Sequence, residues 1–581
     1  MTFRSPQTLA FAALLAAVAP HASAWAQRTP AKTGGKIEDA EIEIVKERVN
    51  QLPEATRNYE KIKIEPPTKQ KQNVGYTFPD FRLPADRLNP SVRVLTIKQE
   101  ELSPLTGNYV KGAVGNYGTL YGKAYLHNTR SDAASYGLDF SHLSSTRGSV
   151  DKANSGSSQT SLGLNGETYS GPMTLGAKLD LGRERYNFYG YNRNVPRLPP
   201  EADSIKQVFQ RAAVKVYARN RDKDAALQYD FGVGFNFWKD RFQARENNFN
   251  ASLRSTYNMS EKGHVVVNGD VSFISYKDSA TTSRPFVQIT PSYELTLNRL
   301  AVSVGATLGY SGDTINDVSQ FNVYPAIRLG YTVTEDKFLV FAGLGGAIQR
   351  VTMYDLTTEM PWLGSNQRVA DTHRGPTLYF GFNATPVRAL ELNAKVTVSN
   401  DRNLYFYNNG GAVVPGAITN GIFRGDSTRF DLVYDKKATQ LLNVHGEALY
   451  NATEQFRLGF KADYNGYKVH TLEKAYHRPA FQTGLFATYN MYSKLLLGAE
   501  LYTYSSSYGS TYKRQDTLVG YRKLPRATDS VVDLNLRGDY RFSENLSIFA
   551  LGNNLLGRKY ERFLNYPVKG INLLAGVTYD F

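Results

Sequence analysis

Cysteine is absent from the sequence. That excludes a disulfide framework, a thiol nucleophile and a thiolate metal site. It also fits a chain that passes through an oxidising compartment. Long apolar runs are missing as well: past residue 26 no stretch of about 18 apolar residues occurs, the length a spanning helix needs. A helical inner-membrane protein is thereby excluded. Long basic runs are missing too. The formal net charge is +15, but its sources are scattered. No nucleic-acid-reading motif accompanies them, so no nucleic-acid partner is expected.

What is present points another way. There are 39 Tyr, 30 Phe and 48 Gly. Tyr has an apolar ring and a polar tip, which suits a membrane–water boundary. Gly suits tight turns and crowded walls. The mean hydropathy of −0.41 looks soluble. A membrane β-barrel gives the same average, because only alternate residues of each strand meet lipid.

The N-terminus carries an address. Arg4 is the one charge before Arg28, and Leu9 to Ala19 is apolar. The small-x-small sites Ala22-Ser23-Ala24 and Ala24-Trp25-Ala26 follow. This is the layout of a cleaved secretory signal, with cleavage expected after Ala26. Residues 27–105 differ from the rest. They are rich in Lys, Glu and Pro, as in Glu65-Pro66-Pro67-Thr68-Lys69, a composition that disfavours an independent core. This short segment is expected to be partly extended, in the periplasm or the lumen.

From 106 to 581 the sequence is written in period two. In 456–464, Phe456, Leu458, Phe460, Ala462 and Tyr464 share one face, against Arg457, Gly459, Lys461 and Asp463. The same holds for Leu227 to Phe237 and for Val532 to Phe542. Side chains of a strand alternate between faces, so each stretch has one oily and one wet side. The strands run to about 10–16 residues, longer than soluble strands and long enough to cross a bilayer at a tilt. Connections alternate in length. Short ones include Gly171-Pro172, Ser260–Gly263, Thr334–Lys337, Ala452–Gln455 and Ser543–Asn545; long ones fall near 190–207, 355–373, 406–435 and 506–527. That asymmetry belongs to outer-membrane barrels, whose lipid partner includes anionic lipopolysaccharide. The expected fold is all-β, a large closed antiparallel transmembrane β-barrel of about 22 strands in a Gram-negative outer membrane.

The last 30 or so residues are the most specific. They contain Asn553-Asn554-Leu555, Lys559-Tyr560, Tyr566-Pro567 and Gly570, then a strand from Ile571 to Phe581. This end resembles that of TonB-dependent receptors. Ile571, Leu573, Ala575, Val577, Tyr579 and Phe581 share one face. The terminal aromatics Tyr579 and Phe581 resemble the signal read by the barrel-assembly machinery. The family carries a larger N-terminal plug than 27–105 could form, so the resemblance implies a barrel without a conventional plug. Barrels of this size hold a plugged lumen, so the N-terminal segment, the long loops or a partner protein are expected to fill part of it. Glu41-Ile42-Glu43-Ile44-Val45 resembles the family's energy-coupling box, which would make TonB a partner.

No enzyme chemistry emerges. His142 lies near Ser144 and Ser145 without an orienting carboxylate, and His470 and His477 match no metal-ligand spacing. No catalytic, cofactor or metal residue is assigned. The loops are the better candidates. Tyr405, Phe406, Tyr407, Asn408 and Asn409 combine aromatic faces with amides, as do Tyr186 and Tyr189. Such groups suit sugar or peptide contacts, and equally an interfacial aromatic girdle. The function these features imply is a receptor or transport barrel binding or passing a solute. The alternatives are a structural or assembly partner of an outer-membrane complex and a passive porin.

Overall fold

A computed structural model describes residues 107–128, 131–191, 199–222, 224–409, 428–514 and 521–581. The signal stretch, nearly all of the segment before the barrel, and Glu41–Val45 lie outside the described residues.

Twenty-two strands form one closed antiparallel sheet. They run from Tyr109–Gly115 to Asn572–Asp580, and these two pair with each other to seal the ring. At the seam Tyr109 faces Asp580 and Gly115 faces Leu574. Each remaining strand pairs with its neighbour in the wall, as in Thr119–His127 with Ala134–Ser145. Closure is what the solvent demands: in hydrocarbon every backbone N–H and C=O must find a partner, and only a ring leaves no edge. The shortest wall strand has 7 residues and the longest, Thr281–Leu297, has 17.

The two faces follow the alternation. Leu227, Phe231 and Phe235 are exposed on the outside, as are Phe460, Tyr464, Leu536 and Tyr540. On the final strand Leu573, Val577 and Tyr579 point outward with Phe581, while Leu574 is buried on the inner side. The inner face is polar and holds ion pairs between strands, such as Arg219 with Glu167 at 2.9 Å and Lys111 with Asp539 at 3.5 Å.

Both ends of the described barrel chain, Asn108 and Phe581, meet at one rim, where the Phe581 N–H donates to the Asn108 carbonyl. The connections at that rim are short. At 171–172, Gly171 takes φ +55, the left-handed value that glycine adopts without strain. The opposite rim carries the long connections, among them 188–205, 350–371, 403–438 and 554–571. Short turns face the periplasm in such barrels, so the long loops are extracellular.

Two expectations change in detail. Tyr186 and Asn187 end the wall strand Met173–Asn187 rather than opening a loop. Tyr405–Asn409 is itself a strand, paired with Phe430–Tyr434 in a hairpin outside the barrel sheet. Two further hairpins stand in the loops, Tyr508–Arg514 with Tyr521–Ala527 and Glu561–Phe563 with Tyr566–Pro567.

Candidate functional site: the extracellular loop cap

The loop 350–371 turns inward and carries the α-helix Met353–Glu359. Its start is set locally. Thr352 is the N-cap: its hydroxyl accepts from the Asp355 N–H at 3.1 Å and donates to the Asp355 carboxylate at 2.6 Å. This satisfies one of the free amides of the first turn. The barrel wall satisfies two more, because Glu246 accepts from the N–H groups of Met353 at 3.0 Å and Tyr354 at 3.3 Å. Arg211 on the wall donates to the Tyr354 carbonyl and to Thr357 Oγ1 at 3.1 Å, and pairs with Glu184.

Both ends of the loop are fixed by one guanidinium. Buried Arg284 pairs with the Asp371 carboxylate at 2.9 Å and donates to the Val351 carbonyl at 2.7 Å. Asp371 also accepts from Ser311 Oγ and from the Val351 N–H. A charge pair taken out of water needs such extra hydrogen bonds to be stable.

Around the helix lies an aromatic core. Its buried members include Phe209, Trp238 and Tyr276 from the wall, Leu356 and Met360 from the inward loop, Tyr407 and Phe430 from the 403–438 hairpin, and Phe563 and Tyr566 from the last loop. Trp362 stacks on Tyr566 at 4.1 Å between ring centroids, and Tyr189 meets Tyr566 at 4.8 Å. The Tyr566 hydroxyl donates to the Thr428 carbonyl. These groups come from widely separated places around the ring of strands. The loops therefore meet across the mouth and form a cap.

The aromatic-amide residues singled out in the sequence fall inside this cap. Tyr405 and Tyr407 both donate through their hydroxyls to Glu359 Oε2 at 2.9 Å. Arg478 pairs with Glu359 Oε1 at 3.1 Å and lies over the Tyr405 ring. Burial, then the Glu359 charge, raises the pKa of both tyrosines, so the phenols stay protonated donors. Phe406 is buried on the other face of the hairpin, with Leu404 and Tyr476. Asn408 and Asn409 are buried too. Tyr186 and Tyr189 pack at the edge of the core. Tyr405, Tyr186 and Tyr189 keep part of their surface open.

The neighbouring loop 469–480 is tied in through Asp435. Burial alone would raise that carboxyl, but hydrogen bonds from Thr471 Oγ1 and from the N–H groups of His470 and Thr471 outweigh it and hold it below its ordinary value. His477 packs against Phe430 and Phe563, and burial lowers its pKa to about 3. So His470 and His477 serve packing and loop contacts. No three His, Asp or Glu side chains lie close enough to hold a metal among the described residues. His142 contacts Ser144 Oγ at 3.1 Å and Thr160 Oγ1 at 2.8 Å.

The wall residues of this site were legible only as strand; their roles were not. The Thr352-x-x-Asp355 cap was a readable helix signal that the period-two pattern obscured.

No family model matches the chain, and no curated protein matches it in sequence. Solved structures do match in fold. The siderophore receptor PirA of Acinetobacter baumannii aligns with a TM-score of 0.60 at 10% identity, over 82% of this chain and 80% of its own. The FrpB iron transporter of Neisseria meningitidis gives 0.60 at 9%, over 82% and 81%. A mutant of the ferric enterobactin receptor PfeA of Pseudomonas aeruginosa gives 0.57 at 11%, over 82% and 80%. At such identities the likeness is one of fold. A closed ring of 22 strands, with apolar side chains on its outside and long loops at one rim, gives this chain a fold like that of TonB-dependent receptor barrels.

Proposed function

We propose that the protein is a receptor that binds a solute at its extracellular cap and passes it inward through the lumen. The observation that carries this reading is the cap itself: loops from distant strands share one aromatic core over the mouth. A permanently open pore has no use for such a core, which argues against a passive porin. Energy for opening would come from TonB through Glu41–Val45, and lipopolysaccharide would surround the outer rim. The 27–105 segment is proposed as the part that reaches TonB in the periplasm. The similar structures named above are receptors or a transporter by description, which supports the same reading.

The test is purification from native outer membranes with identification of what is retained. The expected result is a small molecule in stoichiometric amount, lost in Glu359→Ala, which unties Tyr405, Tyr407 and Arg478. A stoichiometric protein partner without any solute would instead support a structural or assembly barrel.

A further inference from the structure

A cavity of about 130 Å³ lies at the edge of the cap, where the extracellular ends of two wall strands meet four loops. It is somewhat smaller than the ~150 Å³ protein cavity that accepts benzene, so it has room for no more than one aromatic ring. Its walls are mixed. Tyr186, Tyr189 and Trp362 supply rings, and Trp362 is held by a hydrogen bond from its indole N–H to the Asn187 carbonyl at 3.1 Å.

Three polar groups of the lining are under-used. Lys569 is half-buried and has no carboxylate within ion-pair distance among the described residues; its ammonium donates to Ser145 Oγ at 2.6 Å. Burial lowers its pKa, as expected for a cation short of a counter-charge. Asn187 is 4% exposed, and its side-chain oxygen has no hydrogen-bond partner, while its amide nitrogen donates to the Ala153 carbonyl at 3.3 Å. Ser157 adds a hydroxyl on the wall. A buried acceptor without a donor costs free energy, as does an unbalanced charge. The cavity therefore asks for an anion at one side, a hydrogen-bond donor at another, and a flat apolar body between.

We propose that this cavity binds a single-ring aromatic carboxylate bearing a hydroxyl group. The carboxylate meets Lys569 and Ser157, the hydroxyl donates to Asn187 Oδ1, and the ring lies among Trp362, Tyr186 and Tyr189. This deepens the receptor reading and rests on it, because the cavity joins the wall to the loops that build the cap.

The probe is 4-hydroxybenzoate, titrated into the full-length protein in detergent by calorimetry and by tryptophan fluorescence. Saturable one-to-one binding is expected, with quenching that disappears in Trp362→Phe. Lys569→Met should weaken binding roughly tenfold to a hundredfold, the range of a charge-assisted hydrogen bond. Exposed Lys559→Met should leave it unchanged. Benzoate, lacking the hydroxyl, and phenol, lacking the carboxylate, should both bind more weakly. Gel mobility before and after heating shows that each variant keeps its barrel, and Ser157→Ala gives a second, milder test. No saturable binding to the wild type, or equal affinity in a folded Lys569→Met, overturns the proposal. Binding in detergent asks nothing of transport. A failed titration thus removes this ligand and leaves the receptor, whereas the retained-solute test can fail with the titration intact.

Discussion

Arg284 shows how one side chain governs the cap. Its guanidinium reaches Val351 at the start of the inward loop and Asp371 at the end. Arg284→Met would leave the Asp371 carboxylate buried without its cation, at a cost of about 3–5 kcal/mol. Hydrogen exchange should accelerate at the Val351 and Asp371 amides, with the wall strands unchanged. His477 gives a second residue-scale prediction. Its folded pKa of about 3 lies below the ordinary 6.5. The unfolded loop therefore takes up the proton first. Stability from the neutral imidazole is complete above pH 6.5 and is lost as pH falls from there toward 3. Loop exchange, corrected for its intrinsic pH dependence, should rise over that window, and His477→Gln should flatten the rise.

At the scale of elements, the helix Met353–Glu359 cannot stand alone. Seven residues are too few for a stable isolated helix. It exists because Thr352 caps it, Glu246 and Arg211 hold it to the wall, and Met353 and Leu356 are buried. Thr352→Ala should cost about 1 kcal/mol of helix stability, seen as faster exchange at the Asp355 amide. The 405–409 hairpin is two-faced. Tyr405 and Tyr407 reach Glu359 on one side, and Phe406 packs with Tyr476 on the other. Replacing Tyr405 and Tyr407 together by Ala should release the helix end and lower solute retention. Unchanged retention would remove both tyrosines from the binding part.

At the scale of the whole molecule, closure depends on the seam. A side chain at Gly576 would drive its Cβ into the Gly112 carbonyl oxygen and within 2.5 Å of the Ala113 Cβ. Backbone cannot yield there without breaking the Tyr109–Gly115 pairing with the last strand. Gly576→Val should therefore reduce the folded barrel, read as loss of the heat-sensitive fast-migrating band on gels. The wall itself was legible in advance: the alternating stretches 456–464 and Leu227 to Phe237 fall within the strands Phe456–Lys468 and Leu227–Lys239. The loops were legible only as long. Their aromatic-amide runs read as exposed contacts, yet Phe406, Tyr407, Asn408 and Asn409 are buried in the cap. Any use of these residues in solute binding rests on opening the cap or on Tyr405, Tyr186 and Tyr189 at its margin.

The sequence alone determined the wall. Two-residue alternation is a local rule, because neighbouring side chains must face opposite solvents, and repetition around a lipid-bound sheet forces closure. Which loops fold inward was decided only in three dimensions. Arg284 with Asp371, Glu246 with the helix start and Trp362 with Tyr566 are partners far apart along the chain. Such contacts leave no periodic trace, since each depends on where the finished barrel holds its rim.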